Sequence, residues 1–559
     1  MKKSISVLAC GLAFVALSAC GGGGGGSAPA APAPAPVPAP VPAPVPAPPT
    51  THAVSIVNAA GSLEQRLACN RVVVQSACQL RIYQVMVEAF VDGDPAANFN
   101  VGYGTSHHKG DLAGITASLD YIKSTGANAL WLTPFFLSAP APGQDLGADR
   151  LDATGYFASD YFKIDPKFGT LAQAKTLVQE AHKRGLAVLF DGVFGHHKTN
   201  IAASPSGLKP FGGNNPVDYN HPDTLAFYRE VASYWIDQLQ IDGWRLDQAY
   251  QVPPAAWASL RETVQQASSR NSYLNADGQT VRPAGYMVAE VWKGESEIAL
   301  NYGTTLAPAL GSAFDFPMRY KLVQTLAGEE SGLSGQPASA LNTGFATHGA
   351  YPDHAMPNLM LGNHDLVRFG DLVQRAGLGN PDGDDYWLRH KAAYTFMAAY
   401  SGPITLYYGE EIGQEVPNYA AKVTFNCADA GLCEDHVSRD SGVVDGVAGP
   451  ALSTKARDLK NYVASLMRVR AANPALAGGA RTHVYADANV YVDRKDSGAN
   501  RVLLVMNVKT KPATITLDGA VVSGAAALTD LMTDGTVAVD ASGKFVVTVA
   551  PLSGRLLRF

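Results

Sequence analysis

An excess of basic residues is missing from this chain. Its 43 Lys and Arg stand against 49 Asp and Glu, a formal charge of -6, with no cationic stripe or basic helix. This excludes a protein built around phosphate contacts, so no nucleic-acid partner is expected. The apolar run from Ile5 to Leu17 falls short of the ~20 residues that a membrane-spanning helix needs. Cysteine is scarce, six in 559 residues, and no second CxxC or His pair accompanies them, which argues against a structural zinc site. What is present is enough apolar material, 47% of residues, for at least one large core, and length alone suggests two to four domains.

Lys2 and Lys3, the apolar run, and Leu17-Ser18-Ala19-Cys20 form an export address. It resembles the bacterial lipoprotein signal, which implies cleavage before Cys20 and acylation of that residue. Gly21 rather than aspartate follows the cysteine, so the same rule points to the outer membrane. Residues 21–51 are rich in Gly and then in alternating Pro, Ala and Val, a composition that cannot pack a core. Proline favours polyproline II here, a tether extending ~3.1 Å per residue. In an oxidising compartment the remaining Cys69, Cys78, Cys427 and Cys433 allow three connectivities, of which Cys69–Cys78 with Cys427–Cys433 is the simplest; four buried thiols are the alternative.

From residue 80 onward, short apolar runs alternate with helical periodicity, the pattern of repeated βα units around a parallel sheet. Strands are predicted near Leu80–Phe90, Ala129–Thr133, Ala187–Phe190, Gly243–Asp247, Tyr286–Val291, Ala313–Phe316, Leu359–Leu361 and Ile404–Tyr408. Helices are predicted over Leu112–Ser124, Leu171–Arg184, Asp223–Gln240 and Tyr386–Tyr400. Eight units suggest a closed (β/α)8 barrel over residues 52–475, with a short excursion at about 197–222 after the third strand. Alternating runs such as Val502–Val508 and Phe545–Val549 make residues 476–559 an antiparallel β domain, read as a sandwich.

A barrel displays its chemistry at the C-terminal ends of its strands. Acids gather at four of those predicted ends: Asp191 to His196 after strand three, Gly243-Trp244-Arg245-Leu246-Asp247 at strand four, Glu290-Val291-Trp292 at strand five and Asn363-His364-Asp365 at strand seven. Taken together and in this order, these motifs resemble glycoside hydrolase family 13, the α-amylase family. Supporting segments are Gly126 to Pro134, Asp160 to Pro166 and Tyr407 to Glu411, so the resemblance runs over nearly the whole folded part.

The resemblance implies a retaining α-glucan hydrolase in which Asp247 is the nucleophile, Glu290 the acid/base and Asp365 the third carboxylate. Arg245, His196, His364, Tyr156 and Trp292 would hold the sugar, and Asp191 would organise the barrel through Arg245. An oxocarbenium-like transition state needs one acid on the leaving oxygen and one carboxylate at the anomeric carbon, separated by roughly 5 Å in retaining enzymes. Arg245, two residues before Asp247 and on the same side of the strand, can keep that carboxylate ionised.

The chain departs from the family in places. Gly195 stands where an asparagine usually binds a calcium between barrel and excursion, and Tyr250 and Gln251 replace the usual Lys and His after the nucleophile. Ala153 and Thr154 replace the usual tyrosine and histidine before Gly155-Tyr156. The common calcium site is therefore not expected. A different Ca²⁺ site, on Asp92, Asp94, Asn98 and Asp111, is suggested by the resemblance of Asp92-Gly93-Asp94 to the calcium loop of cyclodextrin glycosyltransferases and neopullulanase-like enzymes. The alternative is a polar turn whose acids accept from backbone amides. For function, a cyclomaltodextrinase or transglycosylase remains open beside the hydrolase. A glucan-binding lipoprotein on an inactive barrel is the reading outside enzymes, and the retained carboxylates disfavour it. A monomer is expected.

Overall fold

The computed structural model describes residues 51–99, 105–138, 153–416 and 438–559. Eight parallel strands close into a barrel in chain order: β1 Arg81–Val85, β2 Ala129–Leu132, β3 Ala187–Gly192, β4 Gly243–Leu246, β5 Tyr286–Ala289, β6 Ser312–Phe314, β7 Met356–Met360 and β8 Ile404–Tyr407. Both faces of these strands are covered, which is why they read as continuous apolar runs. Ile82, Trp131, Leu189, Val288, Phe314 and Met360 form one buried cluster, while the alternate positions Leu130, Leu132, Val188 and Phe190 pack into the larger cluster shared with the helices. The register matters for the site. β3 and β4 pair Asp191 directly with Arg245, and β4 and β5 pair Arg245 with Val288, two residues before Glu290.

The helices have local reasons for their limits. Leu171–Lys183 starts at a reciprocal cap between Thr170 and Gln173. Pro222–Leu239 opens on proline, where the missing N–H costs nothing, and ends at Gln240 in the left-handed region. The expected helix over Leu112–Ser124 is two short ones, Leu112–Ala117 and Leu119–Ser124, with Ser118 between them bonding back to the Gly114 carbonyl at 2.8 Å. β1 is shorter than expected because the chain turns into a 3-10 segment at Val87–Ala89. The excursion after β3 contains no helix or strand between His197 and His221. It is tied down by His197 N–H to the Asn214 carbonyl (2.9 Å) and Val217 N–H to the Gly195 carbonyl (3.0 Å).

The C-terminal domain packs a three-stranded and a seven-stranded sheet around Val490, Val492, Leu503, Val505, Ile515, Leu517, Phe545 and Val547. One expectation is corrected here. The sequence pattern places residues from 52 onward in the catalytic domain, but His52–Ile56 pairs in parallel with Ala513–Asp518, and Leu63–Glu64 pairs with Ala480–Ala486. Val54 and Ile56 alternate into the sandwich core, so this segment is a sheet edge of that domain. The disulfide Cys69–Cys78 forms just before β1. Cys427 and Cys433, like the signal and tether of residues 1–50, lie outside the described residues. No helix among the described residues is long and apolar enough to cross a membrane.

Candidate active site

Arg245 is the hub. Its guanidinium is fully buried, and one terminal nitrogen lies 2.9 Å from Asp191 Oδ1 and 2.9 Å from Asp247 Oδ1, while the other lies 2.6 Å from Glu290 Oε1. One cation thus holds the two proposed reacting carboxyls side by side. The backbone assists: Asp247 N–H bonds to Gly192 and Glu290 N–H to Leu246, so both acids leave their strands on neighbouring rungs. Asp247 Oδ2 is buried without a hydrogen-bond partner. A carboxylate oxygen left unbonded in a buried site is available to a substrate carbon. Asp191 is saturated instead: beyond Arg245 it accepts from Trp131 Nε1 (3.0 Å) and the Tyr156 hydroxyl (2.9 Å). Its contacts brace Arg245 against Trp131 and Tyr156.

The strand-seven residues form a second group. The Tyr156 ring stacks on His364, with centroids 5.3 Å apart and planes 5° from parallel, and its hydroxyl oxygen lies 2.7 Å from His364 Nε2. Gln84 Nε2 donates to His364 Nδ1 at 2.7 Å, which places the ring proton on Nε2, 3.2 Å from Asp365 Oδ2. Gly155, at φ 77°, makes this stacking possible: a Cβ there would sit 1.9 Å from the Pro134 carbonyl. The other Asp365 oxygen accepts from Arg439 Nη2 at 2.7 Å, and Arg439 Nε also donates to the His364 carbonyl. His196 approaches Asp247 Oδ2 with Nε2 at 3.9 Å. Trp292, 42% exposed, offers one ring face outward while the other stacks on Phe316, and its Nε1 donates to the Tyr320 hydroxyl.

Environment drives two of the acids apart. Burial pushes the Glu290 carboxyl up to about 8; Arg245 pulls it back, and the negative Asp247 and Asp365 add to the rise. Burial also opposes the charge on Asp365, but His364, Arg439 and Arg245 together hold that carboxyl below its ordinary value. A protonated Glu290 beside ionised partners is the arrangement that acid-assisted cleavage of a glycosidic bond needs.

The chain matches the α-amylase catalytic domain over residues 84–207 and 212–443. It belongs to the α-amylase family. Among solved structures it is similar to AmyP, determined with maltose and, as a Glu-to-Gln variant, with maltotriose. Identity to the latter is 53%, covering 86% of this chain and 97% of that one, with a TM-score of 0.83. It is also similar to the cyclomaltodextrinase of Thermoanaerobacter pseudethanolicus, 26% identical over 78% of this chain and 71% of that protein. The α-amylase of Streptomyces lividans is 24% identical over 80% of this chain and 56% of its own length.

This α-amylase family chain brings Asp247, Glu290, Asp365, Arg245, His196, His364 and Tyr156 around one site, with Trp292 at its rim. Three contributors escaped the sequence. Gln84 and Trp131 lie on β1 and β2 in segments that read as apolar strands, where only their side-chain direction marks them. Arg439 arrives from beyond residues 417–437, in no recognised motif. The suggested calcium residues sit elsewhere, beside β1. There Asp111 caps the helix Leu112–Ala117 and accepts from the amides of Gly93, Asp94 and Gly114 at 2.7–2.9 Å, while Asp94 accepts from Ala96. These are polar-turn roles. Asn98 Oδ1, however, is buried without a partner, while Asn98 Nδ2 donates to the Pro95 carbonyl (3.1 Å) and lies 3.5 Å from Asp92 Oδ2. Among the described residues, no group of three or more His, Cys, Asp or Glu could hold a metal.

Proposed function

We propose that this glycoside hydrolase cleaves α-1,4-glucosidic bonds of starch, maltodextrins or related α-glucans by retaining double displacement. The observation that carries the reading is the shared guanidinium of Arg245, with Asp247 Oδ2 unbonded and Glu290 held toward its protonated form. Glu290 donates its proton to the leaving oxygen while Asp247 attacks the anomeric carbon. Water then enters, and as Glu290 takes one of its protons its oxygen bonds to the anomeric carbon, breaking the ester and releasing Asp247 as a carboxylate. Asp365 and His364 bind sugar hydroxyls, and Asp365 offsets the developing positive charge.

The first anomer released from an α-linked substrate should be α by NMR; initial release of the β-anomer would remove Asp247 from the nucleophile's role. Cyclomaltodextrin hydrolysis or glycosyl transfer is the second reading, favoured by exposed aromatic faces beside the acid/base, Trp292 (42% exposed) and Tyr250 (46% exposed). Product profiles on starch, cyclodextrin and maltotriose separate the two. Export with a lipid anchor on Cys20, directed to the outer membrane, is also part of the proposal, and rests on Leu17-Ser18-Ala19-Cys20 and the tether behind it. A Ca²⁺ ion near Asp92 and Asn98 is proposed from the unpartnered Asn98 Oδ1; Asp94 and Asp111 would shape its loop rather than bind it.

A further inference from the structure

At the junction of the barrel and the short excursion, Gly195 and Gln251 interlock. A Cβ built on Gly195 would lie 2.1 Å from Gln251 Oε1 and 2.6 Å from Gln251 Cβ, so the absence of a side chain at 195 is what lets the Gln251 amide lie there. That amide joins three segments. Oε1 is 3.1 Å from His196 Nδ1, and Nε2 donates to Asn215 Oδ1 (3.3 Å) in the excursion and to Gln248 Oε1 (3.1 Å) beyond β4. Gln248 N–H in turn reaches Glu290 Oε2 at 3.2 Å. The residues here do not fit the calcium that the family resemblance places between barrel and excursion, because the space beside position 195 is filled by the Gln251 side chain.

We propose that Gln251 is a positioning residue, a metal-free brace that aims His196 at the reacting centre and ties the excursion to the acid/base side. The argument is one of tautomers. An amide oxygen can only accept, so His196 Nδ1 carries the proton and donates to Gln251. In the neutral ring Nε2 then bears the lone pair and faces the substrate side, 3.9 Å from Asp247 Oδ2, ready to accept from a sugar hydroxyl. Without Gln251 the ring is free to flip or change tautomer, and that acceptor is lost.

The inference rests on the α-glucan hydrolase reading, which wild-type turnover of starch tests separately; every variant is judged against wild type on the same substrate. Gln251→Met keeps the length of the side chain and removes its hydrogen bonds. It should lower kcat about fivefold to tenfold, the worth of roughly one hydrogen bond, with KM changed much less. Gln251→Glu keeps an acceptor for His196 Nδ1, but its charge favours the imidazolium, in which Nε2 carries a proton and cannot accept, so this variant should hold the wild-type Tm and still lose kcat as Gln251→Met does. Gly195→Ala displaces the Gln251 side chain without removing a polar group, and the double variant with Gln251→Met should be no worse than either single one. Should Gly195→Ala not fold, the Met and Glu variants still decide. A Gln251→Met variant with a lower Tm but an unchanged kcat would reduce Gln251 to a structural contact, and multiplying losses in the double variant would break the coupling. In an Asp92→Ala background, kcat in EDTA and in excess Ca²⁺ should coincide; recovery of kcat on adding Ca²⁺ would overturn the metal-free brace.

Discussion

Glu290 and Asp365 share one buried site and are driven in opposite directions, which makes their titration the most direct test of the roles given to them. Glu290 binds its proton more tightly in the folded chain, with its ordinary value of 4.5 raised to about 8. The folded state therefore holds more protons than the unfolded one between those values, and this group's contribution to stability is full below about 4.5 and lost as pH rises through about 8. Glu290→Gln removes that dependence, so its Tm relative to wild type should rise between pH 5 and pH 9; a constant difference in Tm would show that Glu290 is not a raised acid. The same substitution should abolish turnover of unactivated glucan yet retain glycosylation with an aryl leaving group that needs no protonation, whereas Asp247→Asn should lose both. Arg439→Gln leaves the partly exposed Asp365 with a weaker partner. Then kcat/KM should fall, with the acid limb of the pH profile moving upward because Asp365 loses a cation that lowers it. An unmoved acid limb would remove Arg439 from the site.

At the scale of elements, what was legible in the chain was what depends on local pattern. All eight barrel strands were, because each is a short apolar run between helical periods, and so were the motif residues, because strand ends expose them. What was not legible depends on pairing across long separations. His52–Ile56 has the alternation of any strand, and nothing local says that its partner is Ala513–Asp518. Arg439 is one arginine among many until the fold lays it on Asp365. The loop from Asp92 to Asp111 is the intermediate case, since its acids suit either a cation or backbone amides, and the structure spends Asp111 on three amides. Asp111→Ala should therefore destabilise by about 1–3 kcal/mol with or without Ca²⁺, through the lost cap and the orphaned amides. Asp92→Ala should lower Tm only in excess Ca²⁺. If the wild-type Tm is the same in EDTA and in Ca²⁺, the loop is a polar turn alone.

Over the whole molecule, barrel and C-terminal sandwich are joined by buried basic side chains. Arg481 leaves its strand at 1% side-chain exposure, pairs with Asp493 (2.5 Å) on the neighbouring strand and with Glu64 (2.8 Å) on the N-terminal segment, and donates to Asn342 (2.8 Å) on a barrel helix. Its guanidinium lies 3.8 Å from the ring centroid of Phe345 on that same helix. Lys495 adds a second clasp, its Nζ donating to the carbonyls of Ala399 (2.6 Å) and Leu476 (3.0 Å), with burial pushing its pKa well below the ordinary lysine value. A buried ion pair contributes little net stability against an apolar replacement of both partners, but removing one partner strands the other. Arg481→Met should thus cost about 3–5 kcal/mol by leaving Asp493 without its main cation. The loss falls on the sandwich, where both carboxylates lie, and on its contact with the barrel helix through Asn342 and Phe345. The wild-type chain should unfold in one calorimetric transition, and Arg481→Met should split it, the sandwich with its N-terminal strand melting first and the barrel near its original temperature. Changing Arg481 and Asp493 together to apolar residues should restore most of the lost stability. A single transition at the wild-type Tm in Arg481→Met would mean that apolar packing alone couples the two domains.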